Sequence, residues 1–495
     1  MRPFRGCVFA CLHSTKLINN VIASTQTETL TLKAEYRFGY IWLISVVAAM
    51  GGLLFGWDWV VIGGAKPFFQ RYFELTSEAQ IGWANSCALI GCLVGALVAG
   101  ALSDRFGRKR LLIVAALLFA VTSLGNALAH SFTIFIAWRM LGGVAIGLAS
   151  NLSPMYIAEI APAQIRGRLV SINQLTIVIG ILLAQYINWF LVRNLPAGAT
   201  DEFIRNSWFG QQGWRWMFGL TAAPSLLFFV GMLFVPESPR WLANNGSTVQ
   251  AGGILTKIGG EKYANVALPD IEATLAREEV QHVRFADLLD PKMRKVLVLG
   301  VVLAVFQQWC GINVIFNYAE EIFRAAGYDI SSVLKNIAWT GSVNLAFTFV
   351  ALGVVDRGGR RPLMLFGSAS LAVIYIAMGF CYHNSVTGLP MLLLVLAAIA
   401  CYAMSLAPVV WVVISEIFPN RIRGAAMAVA ISSLWIACFL LTYTFPILNA
   451  KLGSAGTFWL YAAICIAGFV FIKFKLPETK GKTLEQIERE LVDKP

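Results

Sequence analysis

Charge is what this chain has least of. Asp, Glu, Lys and Arg make up 13% of its 495 residues, while 58% are hydrophobic. Ordinary soluble domains carry about 25% charged residues. A large soluble core can hide one or two helices with no polar face, but not a dozen in series. Histidine is scarcer still. His13, His130, His282 and His383 fall in separate regions and form no ligand cluster. The nine cysteines (Cys7, Cys11, Cys87, Cys92, Cys310, Cys381, Cys401, Cys438 and Cys465) lack metal-ligand spacing and mostly lie in apolar runs, where they read as packing. With neither a metal set nor a positioned nucleophile, no enzyme and no cofactor are expected. Residues 1–36 lack the charged-then-apolar pattern of a cleaved signal peptide. They read as a flexible cytoplasmic extension.

What the chain has instead is apolar runs of about 20 residues, the length that crosses a bilayer as a helix. The first six are near 39–64, 81–102, 110–129, 132–155, 169–191 and 213–234. Six more are near 296–323, 335–355, 362–381, 390–415, 425–446 and 456–474. The expected fold is an all-α membrane protein of twelve transmembrane helices in two six-helix bundles, 37–234 and 296–474. A polar linker with short helices, 235–295, joins them, and a cytoplasmic tail, 475–495, follows.

The formal net charge of +12 does not point to nucleic acid, because the basic residues cluster in short turns. "SDRFGRKR" (103–110) follows span two and "VDRGGRRP" (355–362) follows span eight, whereas the turns after spans three and nine hold no Lys or Arg. The positive-inside rule puts both basic turns, and with twelve spans both termini, in the cytoplasm. The expected location is the cell membrane, the inner one in a Gram-negative cell, and the expected working unit is a monomer.

The two halves repeat. Asp104-Arg105 recurs as Asp356-Arg357, "AEIAPAQIRG" (158–167) as "SEIFPNRIRG" (415–424), and "PESPR" (236–240) as "PETKG" (477–481). Three matched sites in one order argue for related bundles that move about a central site. Glu159 and Arg166 share one inner loop, and Glu416 and Arg423 share its partner, with the same spacing. The duplicated signs predict a cytoplasmic clasp between helix ends that holds the outward-open state. Asp104, Arg105, Asp356 and Arg357 belong to the same gating set.

"LLFGWDWVVIGG" (53–64) places Asp58 alone in an apolar run, and Arg139 is the only formal charge between Arg110 and Glu159. With Lys66 taken as the outer end of span one and Ser131 as the start of span four, both lie roughly 12 Å deep. Lone opposite charges at one depth are natural partners. Span seven carries Gln307, Gln308, Asn313 and Asn317, span five Gln174, and span eight Asn344. Gln307, about 18 Å from Lys295 along a helix, falls near the midplane. Amides donate and accept, and aromatic rings such as Trp411 and Trp435 cover apolar faces. That combination suits an uncharged, hydroxyl-rich ligand.

The strings "GRKR" (107–110), "PESPRWL" (236–242), "QQWCGINVIFNYAEEIF" (307–323), "SEIFPNRIRG" (415–424) and "PETKGKTLEQIE" (477–488) resemble the sugar porters of the major facilitator superfamily. The look is nearest to bacterial xylose–proton symporters and facilitative glucose carriers, from about residue 38 to 490. The resemblance implies a neutral monosaccharide, pentose or hexose, as cargo. It implies sugar contacts at Gln174, Gln307, Gln308, Asn313, Asn344, Trp411 and Trp435, and proton coupling at Asp58 and Arg139. Ile181, Asn317 and Leu434 depart from the xylose-carrier pattern, and Ile181 is the facilitator-like choice. Proton symport is the expectation. A facilitative uniporter is the alternative, with a non-transporting sensor or a drug exporter behind it.

Overall fold

The structure, a computed structural model, describes residues 35–196, 198–279, 288, 290–419, 422–480, 482, 486, 490 and 491. Most of the expected N-terminal extension and part of the tail lie outside the described residues. Five helices open the fold: α1 (Phe38–Tyr72), α2 (Glu78–Phe106), α3 (Arg108–Leu128), α4 (Phe132–Ile160) and α5 (Arg166–Val192). After the short α6 (Asp201–Asn206), the sixth crossing is a π-helical turn (Phe209–Gly213) followed by α7 (Trp214–Gly219) and α8 (Ala222–Phe234). The linker holds α9 (Pro239–Asn244) and α10 (Thr248–Glu279).

The seventh crossing is broken into α11 (Pro291–Trp309), α12 (Ile312–Asn317) and α13 (Ala319–Ala325). The break has a local cause: Gly311 sits in the left-handed region at φ 85°, a conformation that side chains disfavour. Next come α14 (Ile330–Gly358) and α15 (Arg360–His383). The tenth crossing is also interrupted, as α16 (Leu389–Met404) and α17 (Leu406–Ile417) either side of Ser405. The last helical stretch, α18 (Arg423–Lys475), contains both final crossings, turned at Gly453, whose φ of 69° and ψ of 169° are not helical.

Among the described residues eleven helical stretches are long and apolar enough to cross a membrane, α18 being long enough to do so twice. This is the all-α, twelve-crossing architecture expected of the sequence. Large apolar side chains such as Leu43, Phe190, Leu227 and Phe234 face outward, toward what is lipid in a multi-pass membrane protein.

Small residues set the packing of the first bundle. Helix α2 crosses α4 where Gly91 and Gly95 meet Gly143 and Gly147, so closely that a Cβ on Gly143 would collide with the carbonyl of Ala88. Helix–helix contact in lipid relies on such backbone approach, since lipid tails are as apolar as leucine. This crossing brings α4, which carries Arg139, against the helices that carry Asp58 and Asn85.

Between the first six crossings and the last six, α1 touches α12 and α13, α2 packs on α18, and α5 on α14. The named contacts lie away from the basic turns. Gly82 abuts the Tyr443 backbone, Trp83 meets Phe439 with ring centroids 6.4 Å apart, and Gln185 Nε2 donates to Thr340 Oγ1 at 3.3 Å.

Candidate functional site

Asp58 and Arg139 face each other inside the first bundle. Arg139 Nη1 donates to both carboxylate oxygens of Asp58, at 2.9 Å each. Their residue exposures are 7% and 3%, so the pair is withdrawn from bulk solvent. A buried pair of this kind is costly to half-remove, because the partner is left as an isolated charge. The Arg139 guanidinium also lies 5.4 Å from the Phe218 ring centroid.

The pair borders a small cavity that Asn85 of α2 and Asn317 of α12 also line. Asn317 comes from the other half of the chain, and its buried Oδ1 has no hydrogen-bond partner. Asn317, one of the amides the sequence offers to a sugar, borders the charge pair as well. Asn85 is the member of this lining that the sequence marks only as an asparagine inside the apolar second span.

Three of the other amides form a relay at the break in the seventh crossing. Asn313 Nδ2 donates to Gln308 Oε1, Gln308 Nε2 to Gln307 Oε1 at 3.2 Å, and Gln307 Nε2 to the Ala407 carbonyl at 3.3 Å. Ala407 lies two residues past the interruption at Ser405, so the two broken crossings meet here. Gln307, Gln308 and Asn313 are each under 10% exposed. Trp435 is buried and packs near Phe55 and Trp59 of α1, with ring centroids 6.1 Å away in both cases. Half-buried Gln174 and buried Asn344 lie on α5 and α14, which pack together. Trp411, on α17, is 38% exposed.

At the basic end the charges pair within each half. Arg108 Nη2 lies 3.1 Å from Glu159 Oε1, and Arg360 Nη2 lies 3.1 Å from Glu416 Oε1. Asp104 pairs with Arg108 at 3.1 Å, and exposed Arg105 stacks over Phe106. Arg166 is exposed at the start of α5, and Glu159 bridges to the neighbouring helix through Arg108. The side chains of Asp356, Arg357 and Arg423 lie outside the described residues.

The repeated "PE" motifs have a role that the sequence did not disclose. Glu237 Oε1 accepts from the backbone N–H groups of Arg108 and Lys109, both at 3.0 Å. Glu478 accepts likewise from Arg360 and Arg361, at 3.0 and 3.1 Å. Each carboxylate therefore caps the N-terminus of the third helix in its half, satisfying donors that have no intrahelical partner. The echo of the two motifs was the available signal.

Lys66 lies inside the first crossing. It does not mark the outer end of span one, because α1 continues to Tyr72 and Lys66 is 1% exposed.

The model of the family described as "Sugar (and other) transporter" matches residues 44–491. The D-xylose-proton symporter of Escherichia coli strain K12 is 38% identical over 488 residues, covering 92% of this chain and 97% of that one. The arabinose-proton symporter of Bacillus subtilis strain 168 is 39% identical over 467 residues, covering 94% and 98%. Among solved structures, the inward open conformation of the xylose transporter XylE from E. coli superposes with a TM-score of 0.79 at 38% identity, covering 91% of this chain and 100% of that one. The chain belongs to the sugar porter family of the major facilitator superfamily.

Proposed function

We propose that this protein carries a neutral monosaccharide, a pentose or hexose, into the cell together with a proton, by alternating access. The observation that carries the reading is the buried Asp58–Arg139 pair, bordering one cavity with Asn317 of the opposite half. Protonating Asp58 removes the charge that holds the guanidinium. The packing of α1 against the second half then depends on proton occupancy. A sugar that draws the halves together changes the same contact, which couples the two cargoes.

The relay of Gln307, Gln308 and Asn313 is the core of the sugar site, with Gln174, Asn344, Trp411 and Trp435 around it. Each relay amide can exchange an internal partner for a hydroxyl of the ligand. Residues 37–234 and 296–474 are the two bodies that rock, joined by 235–295. The basic turns face the cytoplasm, as do both termini, in the cell membrane. Closure away from those turns makes the conformation inward-facing. Glu159, Arg166, Glu416 and Arg423, with Asp104, Arg105, Asp356 and Arg357, form the inner gating set, and the monomer is the working unit.

Facilitative uniport is the second reading: Ile181, buried on α5, is the residue that the resemblance to facilitative glucose carriers implies at this position. Uptake of a panel of pentoses and hexoses by proteoliposomes, with and without an inward proton gradient, separates the two. Accumulation above equilibrium under the gradient is the result expected of a symporter. Uptake that stops at equilibrium in every case assigns uniport.

A further inference from the structure

The mechanism above leaves one buried charged cluster unused. Lys66 of α1, 1% exposed, reaches across to the second half of the protein. Its Nζ lies 3.4 Å from Glu320 Oε2 and is ion-paired with Glu321. It also sits 5.0 Å from the Tyr318 ring centroid. Glu320, 4% exposed, also accepts a hydrogen bond from Arg324 Nη1 at 3.2 Å. The cluster lies at the outer end, where α1 meets α12 and α13. Gly63, one turn before Lys66, lies against the backbone of Phe316 and Asn317, where an added Cβ would come 2.8 Å from the Phe316 oxygen.

We infer that Lys66, Glu320 and Glu321 form an outer latch that closes only when the two halves meet and so sets the inward-facing state as the resting one. The inference rests on the alternating-access reading. Its physics is a charge count. Lys66 and Glu320 are the buried charges, with side-chain exposures of 1% and 6%, while Glu321 and Arg324 lie at the rim, so closing the outer end buries one cation against one carboxylate. Without Lys66, closure would bury the Glu320 carboxylate with only the exposed Arg324 to compensate it. Opening separates Lys66 from both carboxylates and returns all of them to water, which removes the desolvation cost. The latch is thus a switch between a paired, dry state and an unpaired, hydrated one. It is independent of Asp58, which has its own partner within the first half.

The test is the distance between site-specifically encoded spin labels at two exposed outer positions, Glu202 and Val386, measured with and without sugar in the full-length protein. Lys66→Gln is expected to raise the outward-open to inward-open ratio by about tenfold or more. The double variant Lys66→Glu with Glu320→Lys restores the buried opposite-charge pair and is expected to return the ratio toward wild type. A Lys66→Gln distribution that matches wild type overturns the latch. So does a double variant that remains as open as Lys66→Gln, since that assigns Lys66 a role of shape rather than charge. A wild type whose distance never responds to sugar overturns the alternating-access reading itself. Where wild type responds and Lys66→Gln is indistinguishable from it, only the latch fails.

Discussion

Arg139 holds Asp58 through a single nitrogen, Nη1, placed 2.9 Å from each carboxylate oxygen. One proton on Asp58 is enough to weaken both contacts. Asp58→Asn keeps the volume and removes the charge. It is expected to abolish accumulation of sugar against its gradient while leaving binding within about threefold of wild type, because the relay amides lie on other helices. Uptake under an imposed pH gradient, alongside equilibrium sugar titration, checks both halves of the prediction. A variant that still accumulates sugar removes Asp58 from coupling.

The sugar site is tested at the end of its relay. Gln307 donates to the Ala407 carbonyl and accepts from Gln308, so its loss deprives both the ligand and a neighbouring amide. Gln307→Ala is expected to weaken sugar binding by about 1–3 kcal/mol, roughly 5- to 150-fold. The protein should remain folded, since the side chain occupies a polar site between two broken helices. Titration of purified variant reads the effect, and unchanged affinity for every transported sugar would remove Gln307 from the site.

That a lone acid and a lone base in apolar spans meet was legible from sequence, but the depth of Asp58 was not: α1 runs on to Tyr72, which puts Asp58 about 21 Å from the end of its helix. The twelve crossings were legible, since apolar length is written directly in the residues. The interruptions at Gly311 and Ser405 were not. Glycine in an apolar span serves close packing as readily as a break, and only the tertiary setting decides between them. Lys66 misled because a lysine at the end of an apolar run ordinarily marks the surface. Here its partners come from residues 320 and 321, more than 250 positions away, where no local pattern reports them. The caps made by Glu237 and Glu478 were visible only as an unexplained repeat.

Glu478 lies outside the membrane-spanning helices and gives a pH prediction. Burial alone raises its carboxyl, but hydrogen bonds from the backbone N–H groups of Lys480, Arg360, Arg361 and Thr479 outweigh it and hold the group below its ordinary range. A carboxylate lowered on folding stabilises the protein above its unfolded value, near 4.3. That contribution is lost as pH falls through the folded value. Thermal stability of the purified protein should therefore drop on acidification into this window, and Glu478→Gln should flatten that part of the profile. An unchanged acid limb in the variant would deny the cap its role.

The α2–α4 crossing provides a structural control. A leucine at Gly143 meets the Ala88 carbonyl, which cannot move aside without shifting its helix. Gly143→Leu is expected to cost about 3 kcal/mol or more and to lower the melting temperature in detergent. An unshifted melting temperature would mean that the two backbones are not in contact.

Symport itself is decided by counting both cargoes at once. Sealed vesicles containing wild type are given sugar at zero membrane potential, with an entrapped pH indicator and labelled sugar read in the same sample. Inward sugar flow should acidify the lumen in fixed proportion to sugar entry, and Asp58→Asn should carry sugar downhill with no acidification. Wild-type sugar entry that moves no protons and ignores an imposed pH gradient would contradict the account, leaving the protein a uniporter and the Asp58–Arg139 pair a packing contact.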